Sequence, residues 1–207
     1  MPCDSMAKLR GLAINLGERI VARITAIDSS DKARFFARSY IDEKTCNNIS
    51  HAFSNHGNSE TDKHKINLRI VLTHHHLLPI PTLESKADHF LGPFVKATTQ
   101  TINSGTVLKT LAENNVDLVF HGHEHECNVA KYAALTNASS TVTVISAGSA
   151  TGTETGQGWC SGKATLNVVE VRDDESVWLV THRGLKGGLF TSTQHIKLFD
   201  SVDLRRI

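Results

Sequence analysis

The sequence predicts an α/β protein in which strands and helices are arranged in layers. Segments rich in β-branched residues alternate with segments of helical spacing over roughly the first 125 residues, and the rest of the chain is rich in short predicted strands. This order is typical of layered α/β and α+β domains. A chain of 207 residues with 40% apolar side chains is large enough to bury one core.

The first predicted strand is Glu18–Asp28, where β-branched residues recur before a Ser29-Ser30 turn. Residues 31–41 follow with helical character. A second helix is predicted to end before Gly57, because apolar side chains recur at helical spacing upstream of a glycine that can end a helix. The recurring side chains are those of Cys46, Ile49 and Phe53.

The next predicted strand, Ile66–Thr73, runs directly into three consecutive histidines. These are His74, His75 and His76. Two prolines follow within five residues, and proline disfavours regular strand pairing. We therefore expect the histidines to lie where this strand leaves the sheet.

Two helical segments and a further strand come next. Residues 85–101 have helical character, and Thr106–Asn114 carries its apolar side chains on one face. The strand Val116–Phe120 then leads into the motif GHEH at residues 122–125. Beyond this motif, strands are predicted over 128–135, 141–147, 165–172 and 176–182.

Both histidine motifs follow strands, and ligands in open α/β sheets collect at the carboxyl ends of strands. In the second motif His123 and His125 flank a single residue, and Gly122 allows the backbone to turn sharply. Parallel, neighbouring strands would bring His74 towards this pair. Imidazole is a common ligand of transition metals, so the sequence indicates a metal site formed by three histidines.

The order of these motifs resembles the calcineurin-like metallophosphoesterase family. In that family a strand with a ligand histidine is followed by a helix, a strand and GHxH; the matching elements here are IVLT-His74, TVLKTLAENN, VDLVF and GHEH. SAGSATGT at 146–153 is also similar to the family. The resemblance implies a layered α-β-β-α sandwich. It divides the chain into an N-terminal segment 1–17, the C-terminal part of a phosphoesterase domain at 18–182, and a C-terminal extension 183–207.

The resemblance also implies a function, the metal-dependent hydrolysis of a phosphomonoester or phosphodiester. It implies two divalent ions of manganese, iron or zinc, with His74 and His123 on one ion and His125 on the other. The residues that would orient these ligands or contact the substrate are His75, His76 and Gly122. The implied partner is a phosphorylated small molecule or another phosphoester.

Three motifs that the family carries upstream of this histidine, DxH, GDxxD and GNHD, are absent. Without their carboxylates and their proton-donating histidine, three neutral imidazoles leave a dinuclear centre incomplete. We therefore expect a sandwich that is incomplete at its N-terminus, with an unpaired strand edge that favours self-association. Two alternatives stay open: an inactive truncated fragment or binding module that retains a weak metal site, and a mononuclear three-histidine site with one open position.

Charge and targeting signals limit the other function classes. The 22 Lys and Arg and 21 Asp and Glu give a net charge of +1, so no overall field attracts nucleic acid or an anionic membrane. The longest apolar runs are far shorter than the roughly 20 residues that cross a bilayer. The N-terminal sequence MPCDSMAKLR lacks the apolar core of a secretory signal. We therefore expect a cytoplasmic protein whose four cysteines are free thiols.

Overall fold

The computed structural model describes residues 11–29, 39–54, 65–80, 100–122, 127–133, 141–146, 148, 164–184 and 190–200. Within these ranges the chain forms a mixed α/β structure with the helices α1 (Glu43–Ser54) and α2 (Ser104–Glu113). The strands described are β1 (Gly11–Leu16), β2 (Ile20–Ile27), β3 (Ile66–Thr73), β4 (Leu118–His121), β5 (Asn128–Ala133), β6 (Thr141–Ser146), β7 (Thr165–Val171), β8 (Val177–Gly184) and β9 (Phe190–Phe199).

Six strands form a mixed sheet in the order β1-β2-β3-β4-β6-β5. The four central strands β2, β3, β4 and β6 are parallel, and the edge strands β1 and β5 are antiparallel to their neighbours. Thr73 at the end of β3 lies opposite both Ile27 on β2 and His121 on β4. His121 in turn lies opposite Ser146 on β6. The carboxyl ends of four neighbouring strands therefore meet at one edge of the sheet, which we call the carboxyl edge.

The two faces of this sheet are covered by different elements. On one face, Val71 and Val119 pack with Ile49 of α1 and Leu111 of α2. On the other face lies a separate antiparallel sheet in the order β7-β8-β9. The apolar cluster shared by the two sheets includes Leu68, Ile70, Leu118, Leu179, Leu198 and Phe199. Helices, the six-stranded sheet and the three-stranded sheet thus follow one another as three layers.

The two helices confirm the predictions made from apolar spacing. In α1 the three side chains that predicted the helix are all buried: Cys46, Ile49 and Phe53. Its first turn is capped by Asp42, whose Oδ1 accepts a hydrogen bond from the backbone N–H of Thr45 at 2.6 Å. The buried face of α2 consists of Val107, Leu108, Leu111 and Ala112. No helix in the described part of the chain is long and apolar enough to cross a membrane.

Two strands lie where the sequence predicts none. β1 falls within the expected N-terminal segment 1–17 and pairs with β2 along its whole length. β9 falls within the expected extension 183–207 and pairs with β8. The side chains of Leu12 and Ile14 on β1 remain 56% and 39% exposed. Because a strand is recognised in sequence by its buried face, a strand with little burial leaves a weak pattern.

The two remaining helical expectations are wrong at their ends. Ser39, in the expected helix 31–41, forms an isolated parallel bridge with Thr101, in the expected helix 85–101. The two hydroxyl oxygens are buried and lie 2.8 Å apart. This paired, extended backbone replaces the helical hydrogen bonds there. Residues 31–38 and 85–99 of these predictions lie outside the described ranges.

The cysteines differ from the expectation of four free thiols. Cys46 is free and buried on α1, and this burial raises the pKa of its thiol. Cys127 is disulfide-bonded, so the expectation is wrong at this position. Cys3 and Cys160 lie outside the described residues.

Candidate metal centre

The two histidine motifs leave the sheet from adjacent strands. β3 and β4 are parallel, as predicted, and their last residues Thr73 and His121 are paired. One residue further on, the backbone N–H of Gly122 donates a hydrogen bond to the carbonyl oxygen of His74 at 3.2 Å. The GHEH segment therefore begins in direct contact with the first histidine of the other motif.

The three histidines that follow β3 lie in different environments. His74 is exposed, whereas His75 and His76 are only 3% and 4% exposed. The rings of His74 and His75 meet edge to face with their centroids 4.9 Å apart. An exposed imidazole at the carboxyl edge can reach a ligand in solvent. Of the three histidines in this motif, His74 is therefore the one that solvent reaches.

A buried serine joins the end of β2 to the histidine motif. The Oγ of Ser29 lies 3.3 Å from the backbone nitrogen of His74 and 3.1 Å from that of His75. The same oxygen lies 3.0 Å from Nδ1 of His75. Sequence reasoning assigned Ser29 only to a turn, because its partners are 45 and 46 residues away in the chain.

A carboxylate also lies at this edge. Ile27 at the end of β2 pairs with Thr73 at the end of β3. The residues that follow them, Asp28 and His74, are both exposed. The contact between Ser29 and His74 shows that the two segments stay adjacent beyond the ends of β2 and β3. Imidazole nitrogen and carboxylate oxygen are both donors for zinc, iron and manganese, so the residue types at this edge fit such a cation. The signal for Asp28 in the sequence is its position at the end of a strand.

A second pair of histidines is buried beside the exposed one. The rings of His76 and His121 are tilted, with centroids 5.9 Å apart, and His121 is 5% exposed. Nδ1 of His121 lies 3.4 Å from the carbonyl oxygen of Gly122. The sequence analysis assigns no role to His121, which directly precedes the GHEH motif. His121 is therefore a buried packing partner of His76 at the carboxyl edge.

The end of β6 is tied to the second sheet. Asn167 on β7 donates from Nδ2 to the carbonyl oxygen of Ser146 at 3.2 Å, and its Oδ1 accepts a hydrogen bond from the Thr181 hydroxyl at 2.8 Å. Just beyond β6, a Cβ atom added to Gly148 would lie 1.7 Å from Oγ1 of Thr165. This close approach requires glycine at position 148.

His123 and His125, the two other predicted ligands, lie outside the described residues. Within the described ranges, no group of three or more His, Cys, Asp or Glu side chains is arranged to hold a metal ion. The convergence of His74 with these two histidines therefore stays a prediction. The sequence matches no protein-family model and no curated protein.

Proposed function

We propose that this chain carries part of a metal-dependent phosphoesterase centre in which His74, His123 and His125 bind divalent cations. The observation that supports the proposal is the hydrogen bond of 3.2 Å between Gly122 N–H and the His74 carbonyl. Gly122 immediately precedes His123, so the two motifs start from touching peptide groups. Backbone segments in direct contact are close enough for imidazoles from both motifs to bind one ion.

The proposal includes the α-β-β-α sandwich of the calcineurin-like metallophosphoesterases. Support comes from the layers, in which helices cover one face of the six-stranded sheet and a three-stranded sheet covers the other. The fourth layer would be helical and would cover the outer face of β7-β8-β9. Parallel strands that deliver ligands at their carboxyl ends are consistent with this architecture.

The residues at the carboxyl edge have separate roles in this proposal. His74 provides an exposed imidazole, and Asp28, which follows the last paired residue of β2, provides negative charge at the same edge. When bound, two divalent cations supply charge stabilisation and an activated water for phosphoryl transfer. The substrate is a phosphomonoester or phosphodiester of a small molecule.

Metal content and hydrolysis of a chromogenic phosphodiester test this proposal together. We expect the purified chain to bind manganese and to hydrolyse bis(p-nitrophenyl) phosphate. His74→Ala and His123→Ala should each reduce hydrolysis by more than about 100-fold, the upper range for partners outside the ligand set. His195→Ala, which removes an exposed histidine on β9, should have no effect. A wild-type chain that is inactive with manganese, iron and zinc would overturn the proposal.

The same data separate the alternatives that the sequence leaves open. Two ions per chain with turnover indicate the dinuclear centre, and one ion with turnover indicates the mononuclear three-histidine site. One ion or fewer without turnover indicates a binding module or an inactive fragment. The missing upstream carboxylates favour the lower stoichiometry, whereas Asp28 at the edge adds one carboxylate to the donors that the sequence identified.

A further inference from the structure

Ser29 has an unusual number of partners for one hydroxyl group. It is 1% exposed, and its Oγ contacts the backbone N–H groups of two consecutive histidines, His74 and His75. The same Oγ contacts Nδ1 of His75 at 3.0 Å. Ser29 thus joins the end of β2 to both the backbone and a side chain beyond β3.

The chemistry of a hydroxyl group decides the direction of these hydrogen bonds. A serine oxygen has two lone pairs and one hydrogen. The two backbone N–H groups can only donate, so they occupy both lone pairs. The single hydrogen of Ser29 is then left to donate to Nδ1 of His75, which must accept it. A neutral imidazole that accepts at Nδ1 carries its hydrogen at Nε2.

We propose that Ser29 is a positioning residue for the candidate metal centre, an inference that rests on the proposed function. Its hydroxyl fixes the peptide of His74 at the carboxyl edge and holds His75 as the neutral tautomer with hydrogen on Nε2. In this state neither nitrogen of His75 offers a lone pair to a cation, because Nδ1 accepts from Ser29 and Nε2 carries a hydrogen. His75 is therefore outside the ligand set, and His74 is the ligand whose direction Ser29 sets.

Burial explains why this arrangement has consequences for the site. Ser29 and His75 are both shielded from water, so removal of the hydroxyl would leave two backbone N–H groups and one ring nitrogen without their partner. The chain at His74 would move to regain those hydrogen bonds. Partners that orient a ligand typically change metal affinity by 10- to 100-fold when they are lost.

A matched pair of serine variants tests the inference. Ser29→Ala removes the hydroxyl at the carboxyl edge. Ser176→Ala removes an equally buried serine hydroxyl that bonds to Asp174 and Trp178. Ser176 follows Glu175, whose carboxylate binds Arg19 just before β2, so the control lies at the opposite edge of the sheet.

Two measurements are made on these proteins: zinc affinity by calorimetry, and the His75 tautomer by long-range ¹H–¹⁵N correlation without metal. We expect wild-type His75 to carry hydrogen on Nε2 and none on Nδ1. We expect Ser29→Ala to lower zinc affinity by about tenfold and to change the tautomer signature, while Ser176→Ala matches the wild type in both.

The possible failures are distinct. A wild-type His75 with hydrogen on Nδ1 overturns the inference, as does a Ser29→Ala protein with the zinc affinity of Ser176→Ala; both leave the proposed function intact. If the wild type binds no zinc, the proposed function fails and the positioning role fails with it. If Ser29→Ala does not fold, the wild-type tautomer decides: hydrogen on Nε2 retains the inference and hydrogen on Nδ1 overturns it.

Discussion

The backbone N–H of Gly122 donates to the carbonyl oxygen of His74 across 3.2 Å. This contact lies just past the ends of two parallel strands, β4 and β3, whose last paired residues are His121 and Thr73. It joins two segments that are 48 positions apart in the sequence and that both contain histidine motifs. This strand pairing brings the starts of the two motifs together.

The space around Gly148 leads to a prediction about stability. An alanine Cβ there would lie 1.7 Å from Oγ1 of Thr165 and 2.8 Å from the sulfur of Cys127. We expect Gly148→Ala to reduce the free energy of unfolding by about 1 to 3 kcal/mol, the usual cost of overpacking. Gly105→Ala is the control, because Gly105 lies in α2 with no atom within 4 Å of an added Cβ. Equal denaturation midpoints for the two variants would contradict the close approach.

The cap of α1 gives a prediction that depends on pH. Hydrogen bonds from the Thr45 hydroxyl and backbone N–H lower the pKa of Asp42. Asp42→Ala should therefore lower the free energy of unfolding at pH 7 by about 1 kcal/mol, as for other N-caps.

Because the folded pKa of Asp42 is depressed, this stabilisation is complete above the unfolded value of about 3.9 and is lost as pH falls through the folded value. Denaturant unfolding of wild type and variant from pH 7 down to pH 2 should show the difference shrinking only below about pH 4. Asp173→Ala, in an exposed turn, should show no such difference. A difference between Asp42→Ala and wild type that grows as pH falls would contradict the capping role.

The edge strand β1 leads to a prediction about association. Leu12 is 56% exposed on a strand at the edge of the sheet, and uncharged edge strands favour pairing between molecules. We expect the wild-type chain to associate as its concentration rises, and Leu12→Lys to reduce that association in sedimentation velocity. Ile102→Lys alters a side chain that is 60% exposed in the turn before α2 and not on β1, and should leave association unchanged. Similar effects of both lysines would show that general charge, not the strand edge, controls association.

The environment of Cys46 gives a prediction about reactivity. The thiol is free and 5% exposed, and burial raises its pKa, so little thiolate is available at neutral pH. We expect iodoacetamide to modify Cys46 slowly in the folded protein and rapidly in denaturant, as measured by peptide mass mapping. Fast modification under native conditions would show that α1 does not keep this side chain in the core.

The fold could be predicted from the sequence where burial leaves a periodic pattern. α1 was recognised from Cys46, Ile49 and Phe53, and these side chains are the ones that pack in the core. β3 was recognised as a β-branched run, and its central residues are buried on both faces. β1 was missed because Leu12 and its neighbours are largely exposed, so their order in the chain carries no sign of a buried face.

The candidate site could be predicted only in part, for a different reason. The histidine motifs are visible because like residues stand together in the chain. Ser29 contacts residues 45 and 46 positions away. Asp28 becomes a candidate only because the pairing of β2 with β3 places it at the same edge as His74. No local pattern encodes such relationships, because they arise from the register between β2 and β3. The positions of Ser29 and Asp28 relative to the histidines therefore require the strand pairing, which the motifs alone do not reveal.

Zinc titration of four proteins tests most directly whether the two histidine motifs form one centre. These are the wild type, His74→Ala, His123→Ala and the double variant, each measured by calorimetry. If both histidines bind the same ion, each single variant should lose zinc affinity by more than about 100-fold, and the loss in the double variant should differ from the sum of the two single losses, because residues at one site are coupled. Wild-type affinity in either single variant, or losses that add in the double variant, would contradict a shared metal centre.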